Sequence, residues 1–156
     1  MNDKESISTL AAVLAAGEGE ALTVLGDRYV VKVGAAETGG LFTTLELTIS
    51  PQRGPPLHLH HREDEFFYVL EGEFEFLLGG KTVRAGPGTF AYAPRHQAHT
   101  FKNVGLSPGR LLVTSTPGGM EIFFRRLHAL PPGPPDLAKI IAIAKEHAIE
   151  IVMPQQ

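Results

Sequence analysis

Turn residues divide most of the chain into short segments, and this pattern limits the folds that the chain can adopt. Between Ala21 and about Leu127, runs of β-branched and aromatic residues alternate with turns roughly every 8 to 12 positions. The 156 residues include 17 glycines and 12 prolines, which supply these turns. The spacing is typical of a β-sandwich or β-barrel, and the lack of a fixed repeat disfavours a propeller or solenoid.

Individual strands are predicted from the alternation of apolar and polar residues. Leu45, Leu47 and Ile49 share one face of a strand over 41–49, because side chains two apart point the same way. Two further strands flank Gly79-Gly80, a two-residue hairpin turn in which glycine accepts positive φ. These two strands cover 73–78 and 81–84, and the other predicted strands cover 66–70, 89–93, 99–104 and 110–115.

The chain is predicted to have three regions: an N-terminal helical arm over 1–19, one barrel domain over 20–130, and a proline-rich connector with a helix over 131–156. Four of the five residues from Pro131 to Pro135 are prolines without a backbone donor, so this run cannot enter a sheet interior. Asp136 is a predicted helix cap. The apolar face of that helix comprises Leu137, Ile140, Ile141 and Ala144, and 149–152 follows as a predicted edge strand.

The N-terminal arm allows two interpretations. Its apolar residues Ile7, Leu10, Ala11 and Leu14 have helical spacing, which favours a short packed or partner-docking helix that ends at Gly17. The run from Leu10 to Ala16 also has the length of a signal-peptide apolar region. The preceding residues carry no excess positive charge, so a helix is the favoured interpretation.

Composition excludes several classes of function. The chain has no cysteine, which removes thiol catalysis, Fe–S clusters and cysteine-based zinc sites. Its net charge is −3 and its basic residues are dispersed, so we expect no nucleic-acid partner. No apolar run approaches the roughly 20 residues of a membrane span. With no credible signal and no disulfides, the expected location is the cytoplasm.

Five of the seven histidines lie between positions 58 and 99. His58 and His60 are two apart, so on a strand both point inward, whereas His61 points to the other face. Glu65 begins the next predicted strand and reaches the same side if the two strands are neighbours. His99 opens a later strand and offers a fourth ligand.

Three imidazoles and a carboxylate suit a divalent transition metal such as Fe, Mn, Ni, Co, Cu or Zn. Four protein ligands on an octahedral ion leave two positions for water, substrate or dioxygen. An open site of this kind indicates Lewis-acid or oxygen chemistry, because purely structural sites are usually closed. An isolated His-x-His pair is weak evidence, and the joint spacing with Glu65 and His99 carries the prediction.

Two sequence phrases give the chain a family resemblance. They read His58-x-His60-x4-Glu65-x6-Gly72 and Pro94-x4-His99-x3-Asn103. Together they resemble the paired motifs of the cupin superfamily over roughly 40–115. The resemblance implies an all-β fold, a double-stranded β-helix or jelly-roll barrel, with the short terminal helices outside it. It also implies that His58, His60, Glu65 and His99 are the ligands of one divalent metal ion per chain.

Two positions depart from the usual cupin pattern. Only three residues separate Gly54 from His58, fewer than separate the glycine that normally opens the first motif from its first histidine. His96 replaces a turn glycine of the second motif, which makes it either a polar group at the pocket rim or an exposed turn residue. The remaining histidines, His128 and His147, fall outside the predicted site.

Three short segments are similar in sequence to small bacterial cupins related to quercetin dioxygenases. They are residues 54–61, 65–72 and 116–124. This likeness implies a dioxygenase in which Glu65 is both ligand and general base for a phenolic or enolic substrate. The predicted apolar cavity is lined by Leu45, Leu47, Phe67, Val69 and Phe101, which suits an aromatic ligand.

Among basic residues, Arg95 is the candidate near the second motif, and Arg53 and Arg62 flank the first in loops that are usually solvated. Two other functions remain open: a metal- or ligand-binding protein without turnover, such as a sensor or storage module, and a metal-dependent isomerase or lyase. Fold-level likeness does not choose among them. A homodimer is expected because cupins of this size often pair through their sheets.

Overall fold

The computed structural model describes residues 11–154. Two antiparallel sheets face each other and enclose one core, which confirms the predicted double-stranded β-helix. The strands are β1 (Glu20–Val24), β2 (Asp27–Val33), β3 (Thr43–Ile49), β4 (His58–His60), β5 (Asp64–Glu71), β6 (Phe74–Leu78), β7 (Lys81–Ala85), β8 (Phe90–Ala93), β9 (His99–Asn103), β10 (Gly109–Thr116) and β11 (Ile149–Ile151). The helices are α1 (Ala35–Thr38), α2 (Met120–His128) and α3 (Leu137–Glu146).

The two sheets divide the strands unequally. The larger has the order β1-β2-β3-β10-β5-β8, and the smaller has the order β11-β4-β9-β6-β7. The core lies between them, because inward residues alternate with outward ones along each strand. In β3, for example, Leu45, Leu47 and Ile49 are all buried, as their spacing predicts. Phe74, Phe76 and Phe101 fill the facing side from β6 and β9.

Helix α2 falls in a stretch that the sequence analysis treated as part of the strand-rich region, and that expectation is wrong. Its aromatic residues favour strands by propensity, but Met120, Phe123 and Leu127 recur at helical spacing and are the buried face. Tertiary packing against the barrel therefore decides the conformation. Glu121 anchors the helix start, since its carboxylate accepts hydrogen bonds from Ala35 N (2.7 Å) and Thr43 Oγ1 (2.5 Å).

The predicted N-terminal helix is not seen in the part of it that the structure describes. Residues 11–15 have no regular secondary structure and are exposed, followed by a turn at 16–17. The rest of the predicted helix, including Ile7 and Leu10, lies outside the described residues. The exposed apolar residues at Val13 and Leu14 find no packing surface here, and a short isolated helix is marginal in water.

The C-terminal region packs onto the barrel. Asp136 caps α3 as predicted, and its Oδ1 accepts a hydrogen bond from Lys139 N at 3.1 Å. The buried face of α3 is Ile140, Ile143 and Ala144, whereas Leu137 is half exposed, so the helix is rotated from the predicted face. The edge strand is confirmed, because β11 pairs with β4 at the end of the smaller sheet. None of the helices described is long and apolar enough to cross a membrane.

Candidate metal centre

The four predicted ligands come from three strands on two sheets. His58 and His60 lie on β4, and His99 begins β9 directly opposite His58 in the strand register. Glu65 lies on β5 in the other sheet, so β4 and β5 are not the hydrogen-bonded neighbours that the sequence left as one possibility. The turn at 61–63 carries the chain from one sheet to the other, and Glu65 therefore meets the histidines across the barrel interior.

The structure brings the four side chains into one cluster. One potential ligand atom from each of His58, His60, Glu65 and His99 lies within 4.8 Å of the others. Glu65 Oε2 is 3.0 Å from His60 Nε2 and 2.9 Å from His99 Nε2. His58, His60 and Glu65 line a cavity, and all of the cluster except His58 is buried. This is the donor set that first-row divalent ions accept.

Backbone carbonyls fix the orientation of two of the imidazoles. His58 Nδ1 donates to Pro56 O at 2.8 Å, and His99 Nδ1 donates to Gln97 O at 2.9 Å. Because a carbonyl only accepts, each neutral ring carries its lone pair on Nε2. Metal-binding histidines typically use such hydrogen bonds to set the tautomer and the ring orientation.

Glu63 is a buried carboxylate that the sequence analysis did not single out. Its Oε2 lies 3.6 Å from His60 Nδ1, and its Oε1 forms an ion pair with Arg62 Nε at 3.0 Å. The side chain is only 4% exposed, although the sequence places it in a short acidic turn. A carboxylate behind a metal-binding histidine raises the basicity of the ring. The sequence signal that could have identified Glu63 is its position between the two strands that carry His60 and Glu65.

The electrostatics of the cluster favour a cation. Burial and, to a smaller extent, the nearby His99 together lower the pKa of His58 to about 4. Burial opposes charge on Glu65, but His60 and His99 hold the pKa of its carboxyl well below the usual range. Burial also opposes charge on His60, yet the Glu65 and Glu63 carboxylates raise the pKa of that imidazole to about 9.

His60 provides the structural test of whether an ion fits. Both of its ring nitrogens are buried, and neither has an aligned hydrogen-bond partner among the described residues. Glu65 Oε2 is 3.0 Å from Nε2, but the N–H direction does not point at it. Two unpaired buried nitrogens are costly in a protein core. A cation among the four side chains would remove that cost at Nε2, so the residues fit a metal ion.

A cavity of about 110 Å³ leads to the cluster. Leu45, Leu47, Phe67 and Phe101 are among the residues that line it. Val69 shares their inward phase and is buried, but it is not in the cavity wall. Val69 lies on β5 two residues beyond Phe67 and farther from Glu65. Its partner across the strands is Leu111, and both side chains are fully buried in the core.

Helix α2 and the C-terminal region also line the cavity. The residues that they contribute are Phe123, Phe124 and Leu127 of α2, Ile140 of α3, and Ile149 and Ile151 of β11. These residues were not predicted to belong to the site, because the place where a helix docks on a barrel is not visible in the local spacing of its residues. The cavity is therefore mostly apolar and partly enclosed by the last element of the fold.

Three polar side chains interrupt the apolar wall: Asp27, Tyr29 and Arg53. Arg53 Nε lies 3.6 Å from Asp27 Oδ2, and Asp27 also accepts hydrogen bonds from the amide and hydroxyl of Ser50. Burial raises the pKa of the Tyr29 phenol, and the Asp27 charge raises it further. Tyr29 therefore stays neutral and can offer a hydroxyl to a ligand.

The other basic candidates face away from the cavity. Arg95 forms a two-point ion pair with Asp64 on the outside, with N–O distances of 3.2 Å. Arg62 contacts Glu63 and donates to Gly118 O at 2.9 Å. His128 accepts a hydrogen bond from Thr23 N at 2.9 Å, away from the cluster.

The structure explains both departures from the usual motif spacing. A Cβ at Gly54 would lie 1.8 Å from the Phe101 carbonyl oxygen, so the loop before His58 needs a glycine there. His96 has a φ of 69°, in the left-handed region that normally takes glycine. The backbone of the second motif thus keeps its turn, with a histidine in the strained position.

Part of the chain is similar to a known protein family. Residues 45–115 match the family model described as a cupin domain. This match and the barrel fold together support the cupin superfamily. An uncharacterized protein of Methanocaldococcus jannaschii is 31% identical over 61 residues, which are 39% of this chain and 49% of that protein. The chain thus matches about half the length of this curated relative.

Solved structures show the same fold at low sequence identity. KdgF from a Halomonas species superposes with a TM-score of 0.65 at 19% identity, covering 72% of this chain and 99% of that one. The polyketide cyclase RemF from Streptomyces resistomycificus has a TM-score of 0.58 at 24% identity, covering 69% and 80%. At these identities the likeness concerns the fold alone.

Proposed function

We propose that this protein is a metal-dependent oxygenase that acts on a small phenolic or enolic molecule. The observation that carries the proposal is the cluster of His58, His60, Glu65 and His99, of which the first three line an apolar cavity. The local sequence likeness to quercetin dioxygenase-type cupins supports the same reaction class. One divalent transition metal ion per chain would be held by these four side chains.

The ion would supply a Lewis-acid centre with open positions for an oxygen-donor ligand and for dioxygen. The chain's own residues would supply the rest. Glu65 is the carboxylate closest to a hydroxyl that approaches the cluster, so one of its oxygens takes the proton of that hydroxyl. His58 and His99 keep their orientation through Pro56 and Gln97, so the cluster does not rearrange as the proton moves.

The cavity wall favours a flat apolar substrate. Phe67, Phe101 and Phe123 present aromatic surface, while Arg53 is the one Lys or Arg among the lining residues described. A sugar phosphate or a dicarboxylate would need several converging cations. Tyr29 and Arg53 can bind one polar group at the end of an otherwise apolar molecule. A phenol or enol with one such substituent matches this wall best.

The enclosed cavity also favours a second candidate, a protein that binds a metal and a small ligand without turnover. α2, α3 and β11 cover the apolar space, and such a cover slows ligand release as well as excluding water. A metal-dependent isomerase or lyase is the third possibility and differs from the first in needing no oxygen. These alternatives are separated by one assay.

The test is oxygen consumption by tag-free protein loaded separately with Fe, Mn, Ni, Co or Cu, using a panel of flavonols and diketones. We expect uptake with at least one metal, loss of that uptake in His99→Ala, and little change in His128→Ala. Product formation under strict anaerobiosis would identify an isomerase or lyase instead. Ligand retention with no product under either condition would identify a binding protein.

A further inference from the structure

A second group of titratable side chains lies on the outside of the barrel, behind the candidate metal centre. It consists of His61, His96 and Glu150, which the proposed function does not use. His61 follows β4, His96 lies in the turn between β8 and β9, and Glu150 lies on β11. His61 is half exposed and points away from the cavity, as the strand phase predicts.

The two histidines present the same nitrogen to each other. His61 Nδ1 lies 3.2 Å from His96 Nδ1, and the ring centroids are 5.3 Å apart. Two nitrogens at this separation can both lie 2.0–2.1 Å from one ion, with an angle of roughly 100° at the ion. That angle suits two neighbouring positions of a tetrahedral or octahedral site. We propose that His61 and His96 form a second, outer metal site for a divalent transition ion such as Zn²⁺ or Cu²⁺.

Glu150 completes the arrangement. His61 Nε2 donates to Glu150 Oε2 at 2.9 Å, so the neutral His61 ring has its lone pair on Nδ1, facing His96. A carboxylate that accepts from the far nitrogen of a metal-binding histidine is the usual support for such a ligand. His96 would move its Nδ1 proton to Nε2 on binding the ion, which needs only a change of tautomer in a neutral imidazole.

The backbone around His96 supports the proposal. This residue adopts a φ of 69°, which is unfavourable for any side chain with a Cβ. Its amide donates to His60 O at 2.7 Å, so the turn is held against β4 and the imidazole has a fixed starting position. A strained residue whose side chain meets another potential ligand is a candidate for function. The neighbouring Arg95 charge is compensated by Asp64 and does not oppose a cation.

The outer ion would join three segments that are distant in sequence. His61 extends the strand that carries two inner ligands, and Glu150 belongs to the strand that covers the cavity. An ion here would therefore hold β11 and the turn at 94–97 against the end of β4. Water molecules would complete its coordination, and binding should be weaker than at the four-residue inner cluster.

The experiment is a calorimetric titration of metal-free, tag-free protein with Zn²⁺. We expect two ions per chain, of which the weaker is lost or weakened at least tenfold in His61→Ala and in His96→Ala. His128→Ala, which removes a surface imidazole elsewhere, should keep both. His99→Ala should disturb the inner ion and leave the outer one, so the two sites can fail independently.

Two results would overturn the outer site. One is a titration in which neither His61→Ala nor His96→Ala changes the number or affinity of bound ions. The other is loss of the weaker ion in His128→Ala, which would place it elsewhere. Glu150→Ala should weaken the outer ion by about tenfold, as carboxylates that support ligating histidines do. An unchanged dissociation constant in that variant would contradict the positioning role of Glu150.

Discussion

Glu65 meets two imidazole nitrogens through one oxygen, at 3.0 Å from His60 Nε2 and 2.9 Å from His99 Nε2. A buried carboxylate needs a positive charge beside it, because an unpaired charge is costly in a protein core. When no ion is present, a proton on a neighbouring imidazole supplies that charge. The pKa of His60 is raised to about 9 for this reason. Metal binding must therefore displace a proton.

Metal binding at pH 7 should release about one proton per ion from the inner cluster. His60 is protonated below its pKa of about 9, whereas His58, with a pKa of about 4, is already neutral and releases none. Metal affinity should therefore rise with pH from 7 toward 9. Calorimetry of His61→Ala in buffers of different ionisation enthalpy measures the proton count at the inner site alone. Release of no proton would contradict the assignment.

Glu65→Gln should separate metal binding from proton transfer. The amide preserves the shape and one oxygen ligand, so part of the metal should remain, but the variant has no carboxylate to accept a proton. We expect the turnover rate per bound metal to fall roughly 10²- to 10⁴-fold. Glu71→Gln, an exposed carboxylate on the same strand, is the matched control. Retained turnover in Glu65→Gln would exclude the general-base role.

At the scale of elements, α3 and β11 contribute part of the cavity wall. Ile140 and Ile149 are buried against the cavity and come from residues beyond the proline-rich connector. The sequence predicted α3, its Asp136 cap and an edge strand, since those depend on local spacing. It did not predict where they dock, because docking depends on the apolar surface that the rest of the fold leaves uncovered.

Ile140→Ala should destabilise the protein by about 2–5 kcal/mol, the usual cost of truncating a buried isoleucine. Ile140 is 5% exposed and joins α3 to the core. Leu137→Ala is the control, because Leu137 lies on the same helix with half of its side chain exposed. Urea unfolding followed by circular dichroism gives both values. Equal, small effects in the two variants would show that α3 does not cover the core.

Strand phase explains which parts of the site were predictable. His58, His60 and His99 converge because inward-facing positions on paired strands must meet, and that follows from period-two alternation. Glu65 also converges, although β4 and β5 lie in different sheets and do not pair. A jelly roll encloses its interior with two sheets, so an inward residue of either sheet reaches the same cavity. Glu63, Asp27 and Tyr29 escaped prediction because their burial depends on turns and on contacts between distant strands.

At the scale of the whole molecule, aromatic side chains remain on the outer face of the larger sheet. Phe66 stacks on Tyr92 with a centroid distance of 5.1 Å, and Phe90 and Tyr68 are exposed beside them. Exposed apolar patches of this kind are typical of interaction surfaces. The homodimer expected from the sequence stays a prediction, and this face is the natural place to test it.

Light scattering after gel filtration should give a mass of about twice the 16.8 kDa of one chain. Phe90→Lys should shift the protein toward monomer, because a charge would have to be buried at the aromatic face. Val83→Lys replaces an exposed apolar residue of the smaller sheet and should leave the mass unchanged. A monomeric wild-type protein would contradict the prediction.

The central claim is that His58, His60, Glu65 and His99 hold one transition metal ion inside the barrel. Elemental analysis of tag-free protein after extensive dialysis tests it most directly, since dialysis removes weakly held surface ions. We predict close to one ion per chain in the wild type and in His61→Ala, and strong loss in His58→Ala and His99→Ala. Equal metal content in all four proteins, or equal loss in the three variants, would contradict the account.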